Sequence, residues 1–265
     1  MSELLYVYGF VPPAADEAAI GVTGIGGAGI ELVDSDEGPQ AVVSRLDSTE
    51  YGAEVIDARL NDLAWVGTQA AAHERVVAWF VDRGDILPAP LFTLYSSEDA
   101  LRRVLDAKRS RLEGELSRLH ALREWDLKVA CDRATLARNA GRYVAAIDEI
   151  DREIESAAAG KRFLLARKRD DVLRKELAAT AHRLASQALD ELKPFAREIV
   201  RLPLPAEDMP VVLSAALLVD AQQEPSLIAH VEAVRAKWLD AGLTIDFSGP
   251  WAPYRFIAPD TLGQT

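Results

Sequence analysis

Hydrophobic and polar positions divide the first part of the chain into short strands. Aromatic and β-branched residues cluster at 4–10, which is typical of a strand. Two further apolar runs, at 30–34 and 40–46, flank the turn-forming residues of 36–39. We therefore predict one strand followed, after a loop rich in proline, alanine and glycine, by a β-hairpin.

Capping residues and helical spacing predict two helices after this hairpin. Asn61 or Asp62 can cap a helix whose apolar face continues to about residue 82. Residues 85–95 are predicted to be extended, because each proline disfavours a helical conformation in the residue before it. Ser96 or Ser97 can cap the next helix, in which leucines recur at nearly helical period to about residue 122.

The second half of the chain alternates strands and helices in the order strand, helices, strand, strand, helix, strand. The predicted segments are a strand at 124–131, a mostly helical stretch at 134–193 broken near Gly160, strands at 196–204 and 210–220 around a turn at 205–209, a helix at 225–240 ended by Gly242, and a strand at 243–247. This is the βαββαβ order of a ferredoxin-like sheet. The first half repeats a similar order with a loop as its first connection.

We predict an α+β protein of two lobes with ferredoxin-like character and added helices. The predicted boundaries are an acidic N-terminal lobe at 1–96, a connecting helix at 97–123 and a C-terminal ferredoxin-like lobe at 124–265. The C-terminal lobe is predicted to include a helical insertion and a proline-rich aromatic segment at its end.

Charge is distributed unevenly between these lobes. The 265 residues carry a net charge of −12, yet residues 1–99 contain 4 Lys and Arg against 17 Asp and Glu, and residues 100–265 contain 26 against 25. A nucleic-acid partner is not expected, because phosphate binding needs a net basic face. This asymmetry is expected to steer partners and to hinder self-association through the acidic end, and the acidic lobe favours solubility.

Composition gives no indication of a metal, cofactor or membrane. Cys131 is the single cysteine and the four histidines are scattered, so neither an intrachain disulfide nor a metal-ligand cluster is predicted. The chain starts without the basic residues of a signal peptide, and the apolar run at 211–219 is too short to span a bilayer. We expect a cytoplasmic location and no cofactor.

Two motifs suggest catalysis or nucleotide binding, and both have simpler interpretations. Residues 24–29 read GIGGAG, but a dinucleotide-binding loop requires a helix after the glycines, and here a strand is predicted. A flexible loop is the favoured interpretation. His73 lies on a predicted helix with no nucleophile indicated nearby, so a packing or surface histidine is favoured over a general base, and no enzyme is predicted.

A basic segment is one candidate partner-binding site. Residues 161–175 contain seven Lys and Arg against two Asp, and Arg167, Lys168 and Arg169 lie at its centre. These three residues could hold an acidic partner or RNA. A solvated helix face with local ion pairs is the favoured alternative, and docking against the acidic lobe is a third.

The segment GPWAPYRF at 249–256 is the second candidate. Two prolines limit its flexibility, and Trp251, Tyr254 and Phe256 offer large apolar area at low entropic cost. These three aromatic residues could anchor a partner. The favoured alternative is a structural plug that folds back and closes the core of the C-terminal lobe.

Taken together, several segments resemble the gas vesicle protein F / gas vesicle protein L family. The resemblance extends over nearly the whole chain and rests on YVYGF at 6–10, AVVS at 41–44, the helix with Trp65, Ala70 and His73, DILPAPLFTLY at 85–95, EWDLKV at 124–129 and SGPWAPYRF at 248–256. The last segment, similar to the family's Gly-Pro-Trp-x-Pro-Tyr-x-Phe ending, is the most specific. One departure is Leu91-Phe92-Thr93-Leu94, after Pro88-Ala89-Pro90, where family members often have a Phe-Gly-Thr type of run.

The resemblance implies a cytoplasmic accessory protein, without catalytic activity, that supports assembly of the gas vesicle shell. Its implied partners are monomers of the shell protein and other gas vesicle accessory proteins, and it is expected on the nascent or mature vesicle. The resemblance does not separate an F-type from an L-type member. The alternative, which rests on fold analogy alone, is a ferredoxin-like regulatory or small-molecule-sensing module.

Overall fold

The computed structural model describes residues 3–13, 20–34, 38–204 and 210–262. These residues divide into two units. Unit 1 comprises the described residues up to Glu124 together with those from Pro250 onward, and unit 2 comprises those from Trp125 to Gly249. Unit 2 is therefore inserted into the sequence of unit 1.

The helices and strands of the described residues follow one another in a single order. They are β1 (Glu3–Val11), β2 (Glu31–Val33), β3 (Gln40–Asp47), α1 (Ser48–Tyr51), α2 (Ala53–Arg59), α3 (Leu63–Val81), β4 (Leu87–Pro88), β5 (Leu94–Tyr95), α4 (Glu98–Arg118), β6 (Leu122–Cys131), α5 (Arg133–Arg138), α6 (Ala145–Ser156), α7 (Ala159–Leu192), β7 (Ala196–Arg201), β8 (Val211–Asp220), α8 (Glu224–Trp238), β9 (Leu243–Trp251) and α9 (Pro259–Leu262).

Strand β1 is central in the sheet of unit 1. The strand order is β2-β3-β1-β4, and β5 also pairs with β1. Strands β1 and β3 are antiparallel, from Glu3 opposite Asp47 to Val11 opposite Gln40. Every residue from Leu5 to Val11 is buried, and α3 and α4 both contact this strand. Because both faces of β1 are covered, its hydrophobic residues form a continuous run. In a half-exposed strand, hydrophobic and polar residues would alternate.

The glycine-rich residues 24–28 before β2 form a packed turn, whereas a flexible loop was favoured from the sequence. Residues Ile25–Gly27 form a 3-10 turn in which Ile25 is fully buried. The N–H of Ile25 donates to the Tyr8 hydroxyl at 2.8 Å, and that hydroxyl donates to Ser44 Oγ at 3.0 Å. A Cβ on Gly24 would lie 1.9 Å from the Tyr8 oxygen, so only glycine allows this approach.

A second tight turn, at Pro90–Thr93, holds Phe92 in an unusual backbone conformation. The N–H of Thr93 donates to the carbonyl of Pro90 at 3.2 Å, and Phe92 has φ = 65°. A left-handed conformation costs a residue with a Cβ about 1–2 kcal/mol. The ring of Phe92 stacks on Trp65, with 5.5 Å between ring centroids and 11° between ring planes.

Unit 2 contains a ferredoxin-like sheet. Its strand order is β7-β8-β6-β9, so the first and third strands of the unit lie in the centre. Strands β7 and β8 form an antiparallel hairpin. Helices α7 and α8 cover the sheet through buried residues that include Leu184, Leu189, Val231 and Val234. Gly242 follows α8 in a left-handed conformation, φ = 74°, which is the predicted helix end.

The first half of α7 packs on α6 and forms the α6–α7 hairpin. This hairpin has a small core of its own, in which Leu165 contacts Ile150 and Ala157. The second half of α7 packs on the sheet. The hairpin is the helical insertion predicted for the C-terminal lobe, and its two helices are separated at Ala157–Ala158, while the predicted break was near Gly160.

The predicted fold class, α+β with two ferredoxin-like lobes and added helices, is confirmed. The predicted caps Asp62 and Ser97 accept hydrogen bonds from the first backbone N–H groups of α3 and α4. Helices α1 and α2 were not predicted. The predicted turn at 205–209 and half of the one at 36–39 lie outside the described residues. The C-terminal aromatic segment was assigned to the C-terminal lobe, whereas its residues from Pro250 belong to unit 1.

Candidate interaction surfaces

The C-terminal segment, residues 250–262, is held on unit 1 by carboxylates from earlier in the chain. The Tyr254 hydroxyl donates to Glu74 Oε1 at 2.6 Å. The guanidinium of Arg255 pairs with Glu124, and the Arg255 N–H donates to the same carboxylate at 3.0 Å. The N–H of Ala258 donates to Glu115 at 3.1 Å. The segment therefore closes unit 1 rather than the second lobe.

Burial and hydrogen bonding shift the pKa values of two groups at this attachment. Burial, followed by the hydrogen bond to Glu74, raises the pKa of Tyr254 far above its ordinary value, so its hydroxyl remains a neutral donor. The Arg118 guanidinium, with a smaller contribution from the N–H of Ala258, lowers the pKa of Glu115. Glu115 and Glu124 therefore act as structural carboxylates that hold the C-terminal segment.

The three aromatic candidates of this segment have different environments. Phe256 is buried, and Tyr254 is partly buried and packs against the core of unit 1. Trp251 is the last residue of β9 and is 41% exposed. Tyr254 and Phe256 thus hold the segment in place, while the indole of Trp251 reaches the surface.

The basic candidates lie at the start of α7, on the α6–α7 hairpin. Arg169 pairs with Asp151 of α6 at 2.6 Å and is thereby part of the hairpin structure. Arg167 and Lys168 are exposed, and the Arg167 guanidinium lies 5.8 Å from the centre of the Phe163 ring. The sequence predicted three equivalent basic residues. In the structure, Arg169 is part of the hairpin, whereas Arg167 and Lys168 are exposed cations.

Two exposed hydrophobic residues beside these cations were not singled out from the sequence. Phe163 is 65% exposed and Leu164 is 66% exposed. Their exposure has a sequence signal, since they lie one and two positions before the buried Leu165 and so point away from its face of the helix. We call Phe163, Leu164, Arg167 and Lys168 the hairpin patch.

His73 belongs to a buried aromatic cluster. The Tyr6 hydroxyl and His73 Nδ1 are hydrogen-bonded at 2.7 Å, and the rings of Tyr6 and Tyr8 lie 5.7 and 5.5 Å from the imidazole. Burial lowers the pKa of His73 to about 4, against a smaller opposite effect of the Ala89 backbone. At 2% exposure this histidine is a packing residue, as favoured from the sequence.

Metal and thiol chemistry find no support among the residues that the structure describes. No group of three or more His, Cys, Asp or Glu in that part of the chain could hold a metal ion. Cys131 is buried in β6, and burial raises the pKa of its thiol. A search of the same residues for a helix long and apolar enough to cross a bilayer also found none.

Comparison with known proteins decides the family. Residues 4–258 match the family described as "Gas vesicle synthesis protein GvpL/GvpF". The chain belongs to the GvpL/GvpF family. It is 28% identical to gas vesicle protein L of a Streptomyces species, over 99% of this chain and 96% of that protein. It is 26% identical to gas vesicle protein L1 of Halobacterium salinarum, over 96% and 90% of the two chains.

Solved structures support the GvpL/GvpF fold. The crystal structure of the gas vesicle protein GvpF from an Anabaena species superposes with a TM-score of 0.70 at 19% identity, covering 100% of both chains. That of GvpF from Microcystis aeruginosa gives 0.66 at 22% identity, covering 96% of this chain and 99% of the other. The family resemblance is therefore confirmed, and this GvpL/GvpF protein takes part in gas vesicle formation.

The departure noted in the sequence includes the turn at Phe92. At φ = 65° a glycine is free of strain, whereas a residue with a Cβ is not. This GvpL/GvpF chain has a large aromatic side chain there, and its ring stacks on Trp65.

Proposed function

We propose that this GvpL/GvpF protein supports assembly of the gas vesicle shell by binding monomers of the shell protein and other gas vesicle accessory proteins. It acts in the cytoplasm and on the nascent or mature vesicle, and it transforms no substrate. The observation that carries the proposal is the exposed indole of Trp251 on a segment that hydrogen bonds attach to Glu74 and to the buried Glu124.

The physical argument is that Trp251 is a pre-organised anchor. Tryptophan is enriched among the residues that dominate binding energy at interfaces. An anchor that is already rigid loses little conformational entropy on binding. Tyr254 and Phe256 supply this rigidity through Glu74 and the core of unit 1, so they contribute to binding by positioning Trp251. An apolar shell-protein monomer is a suitable occupant for such an exposed ring.

The basic candidates are proposed as a separate contact. Arg167 and Lys168 would bind a partner with an acidic rim, whereas Arg169 would keep the α6–α7 hairpin in shape through Asp151. Dividing the surfaces in this way lets one chain hold an apolar monomer and an accessory protein together. The Trp251 contact can be tested without disturbing the hairpin.

Co-purification of the tagged chain with co-expressed shell protein tests the proposal. We expect Trp251→Ala to reduce the recovered shell protein by about tenfold or more, as for an interface hot spot. The matched control is Leu239→Ala, which removes another exposed hydrophobic side chain, 67% exposed, and should leave recovery unchanged. The purified chain should also hydrolyse no nucleoside triphosphate.

Two outcomes would contradict the proposal. Failure of the parent chain to recover any shell protein would refute the binding function itself. Equal recovery by the parent and the Trp251→Ala variant would refute the role of the anchor. Thermal melting of each variant separates loss of binding from loss of folding.

A further inference from the structure

Two surfaces of this chain have the same design and opposite charge. The hairpin patch in unit 2 has an exposed apolar centre, Phe163 and Leu164, beside the cations Arg167 and Lys168. A surface in unit 1, at the end of α2 and the start of α3, has an exposed apolar centre beside acids. Each surface supplies what the other requires.

The unit 1 surface is centred on two leucines. Leu63 is 82% exposed and Leu60 is 48% exposed, and they flank the short link between α2 and α3. We call these two residues, with Trp65 and Phe92, the leucine surface. Trp65 and Phe92 add the half-buried stacked pair, and the Arg59 guanidinium lies 5.5 Å from the centre of the Trp65 ring.

The surroundings of the leucine surface are acidic. Residues 47–62 contain five Asp and Glu against a single arginine. Glu54 and Asp57 are exposed on α2, and Asp57 lies three residues before Leu60 and hence close to it on the helix. A partner for this surface needs apolar side chains with a basic rim.

The hairpin patch meets that description. Residues 161–169 contain five Lys and Arg and no acid. Part of this charge is used within the hairpin, because Lys161 pairs with Glu153 at 3.8 Å and Arg169 with Asp151. Arg167 and Lys168 make no ion pair with any residue that the structure describes. They remain available for carboxylates of another molecule.

We propose that the hairpin patch of one molecule docks on the leucine surface of a second copy of this chain. Phe163 and Leu164 would pack against Leu60 and Leu63, and the cations of the patch would face Glu54 and Asp57. The contact joins different surfaces of the two copies, so each added copy offers a new hairpin patch or leucine surface. Such a heterologous contact builds open chains or closed rings.

This self-association goes beyond binding of the shell protein and uses different residues from the Trp251 contact. It shares Arg167 and Lys168 with the contact proposed for an accessory protein, so a second copy and that protein would compete for them. Its apolar centres are small and its rims are charged, so we expect a weak contact. Salt should weaken it further by screening the attraction between the charges. The assembly is therefore expected to depend on protein concentration and on ionic strength. Shell-protein binding through Trp251 can succeed or fail independently, since that residue belongs to neither surface.

Sedimentation velocity of the purified full chain, over about a hundredfold range of concentration, provides the test. We expect the mean sedimentation coefficient to rise with concentration at low salt and to return to that of a monomer near 1 M salt, where screening acts within about 3 Å. Replacing Phe163 and Leu164 with serine should weaken association by about tenfold or more, since it removes the apolar centre.

Charge reversal makes the test specific to the proposed pairing. The double variant Arg167→Glu with Lys168→Glu should be monomeric, and so should Glu54→Lys with Asp57→Lys. Mixing these two variants should restore association, because the acidic hairpin patch of one meets the basic leucine surface of the other. The matched control is Arg103→Glu with Arg133→Glu, two exposed arginines outside both surfaces, with the same change in net charge.

The outcomes discriminate clearly. A parent chain that remains monomeric throughout the concentration series overturns the proposal, and so does an assembly that survives both charge reversals. Association of the parent chain without recovery in the mixture would also overturn it, because the copies would then meet through other surfaces. Circular dichroism of each variant establishes that the fold is intact.

Discussion

The two units share one order of four strands but differ in the segment that connects the first strand to the second. In unit 1 the order is β2-β3-β1-β4 and in unit 2 it is β7-β8-β6-β9, so in each the first strand lies between the third and the fourth. The first crossover of unit 1 is the connection at 12–30, which contains a 3-10 turn, whereas that of unit 2 contains α5, α6 and α7. Among the described residues of this connection, 12–13 and 20–30, the 3-10 turn takes the place that helices occupy in unit 2.

The difference shows that a crossover has to supply buried side chains that cover the sheet. In unit 1 one buried side chain, Ile25, and a backbone contact to Tyr8 cover the sheet at this point. In unit 2 the second half of α7 provides the cover with several leucines, which leaves its first half to build the hairpin. Helix α7 is longer than is needed to cover the sheet, and the hairpin patch lies on its extra N-terminal half.

The largest expected effect comes from truncating the buried residue of each crossover. Ile25→Ala and Leu184→Ala remove fully buried side chains and should each lower the free energy of unfolding by about 2–5 kcal/mol. Chemical denaturation measures both. Leu239→Ala, at an exposed position, is the control and should change stability by less than about 0.5 kcal/mol. A small effect of Ile25→Ala would show that the turn is not a core element.

Acid should act on unit 1 through His73. Its pKa is about 4 in the folded chain, whereas an unfolded histidine has a pKa of about 6.5. The unfolded chain binds a proton between these values and the folded chain does not, so stability is lost as pH falls from about 6.5 to 4, by roughly 3 kcal/mol.

Denaturation at a series of pH values tests this effect. His73→Gln keeps an acceptor for the Tyr6 hydroxyl and carries no titrating group, so its stability should vary less over that pH range. An identical pH dependence in the parent and the variant would show that other groups are responsible.

A smaller effect is expected where the glycine turn approaches Tyr8. Gly24→Ala places a methyl group 1.9 Å from the Tyr8 hydroxyl oxygen and should destabilise the chain by about 1–3 kcal/mol, the usual range for overpacking. Gly29→Ala is the matched control, because a Cβ there meets nothing within 4 Å. Similar denaturation midpoints for the two variants would contradict the packed-turn interpretation.

The smallest effect concerns strain at Phe92. Phe92→Gly and Phe92→Ala both lose the stack on Trp65, but only glycine relieves the backbone at φ = 65°. The glycine variant should therefore be more stable than the alanine variant by about 1 kcal/mol. Thermal or chemical unfolding of the pair measures this difference directly, and equal stabilities would show that the turn is unstrained.

Local signals made much of the fold predictable from the sequence. Asp62, Ser97 and Gly242 act at helix ends as predicted, because capping depends on residues within one turn of the chain. Helices α1 and α2 escaped prediction because 4 and 7 residues are too few to display an apolar period. The strand order of unit 2 followed from the order of its elements.

The candidate surfaces were less predictable, because their residues meet through long-range contacts. Tyr254 and Glu74 are 180 positions apart, and Arg255 and Glu124 are 131 apart, so no sequence pattern could place the aromatic segment on unit 1. Likewise Arg169 could be distinguished from Arg167 and Lys168 only once Asp151 of α6 was seen beside it. The family resemblance identified the segment without indicating where it packs.

The insertion of unit 2 within unit 1 has a consequence for the order of synthesis. A growing polypeptide emerges from its N-terminal end, so all of 125–249 leaves the ribosome before the segment that binds Glu74, Glu115 and Glu124. Domains generally fold as units while translation proceeds. The inserted unit can therefore fold first, whereas unit 1 is complete only after residues 250–262 have been translated.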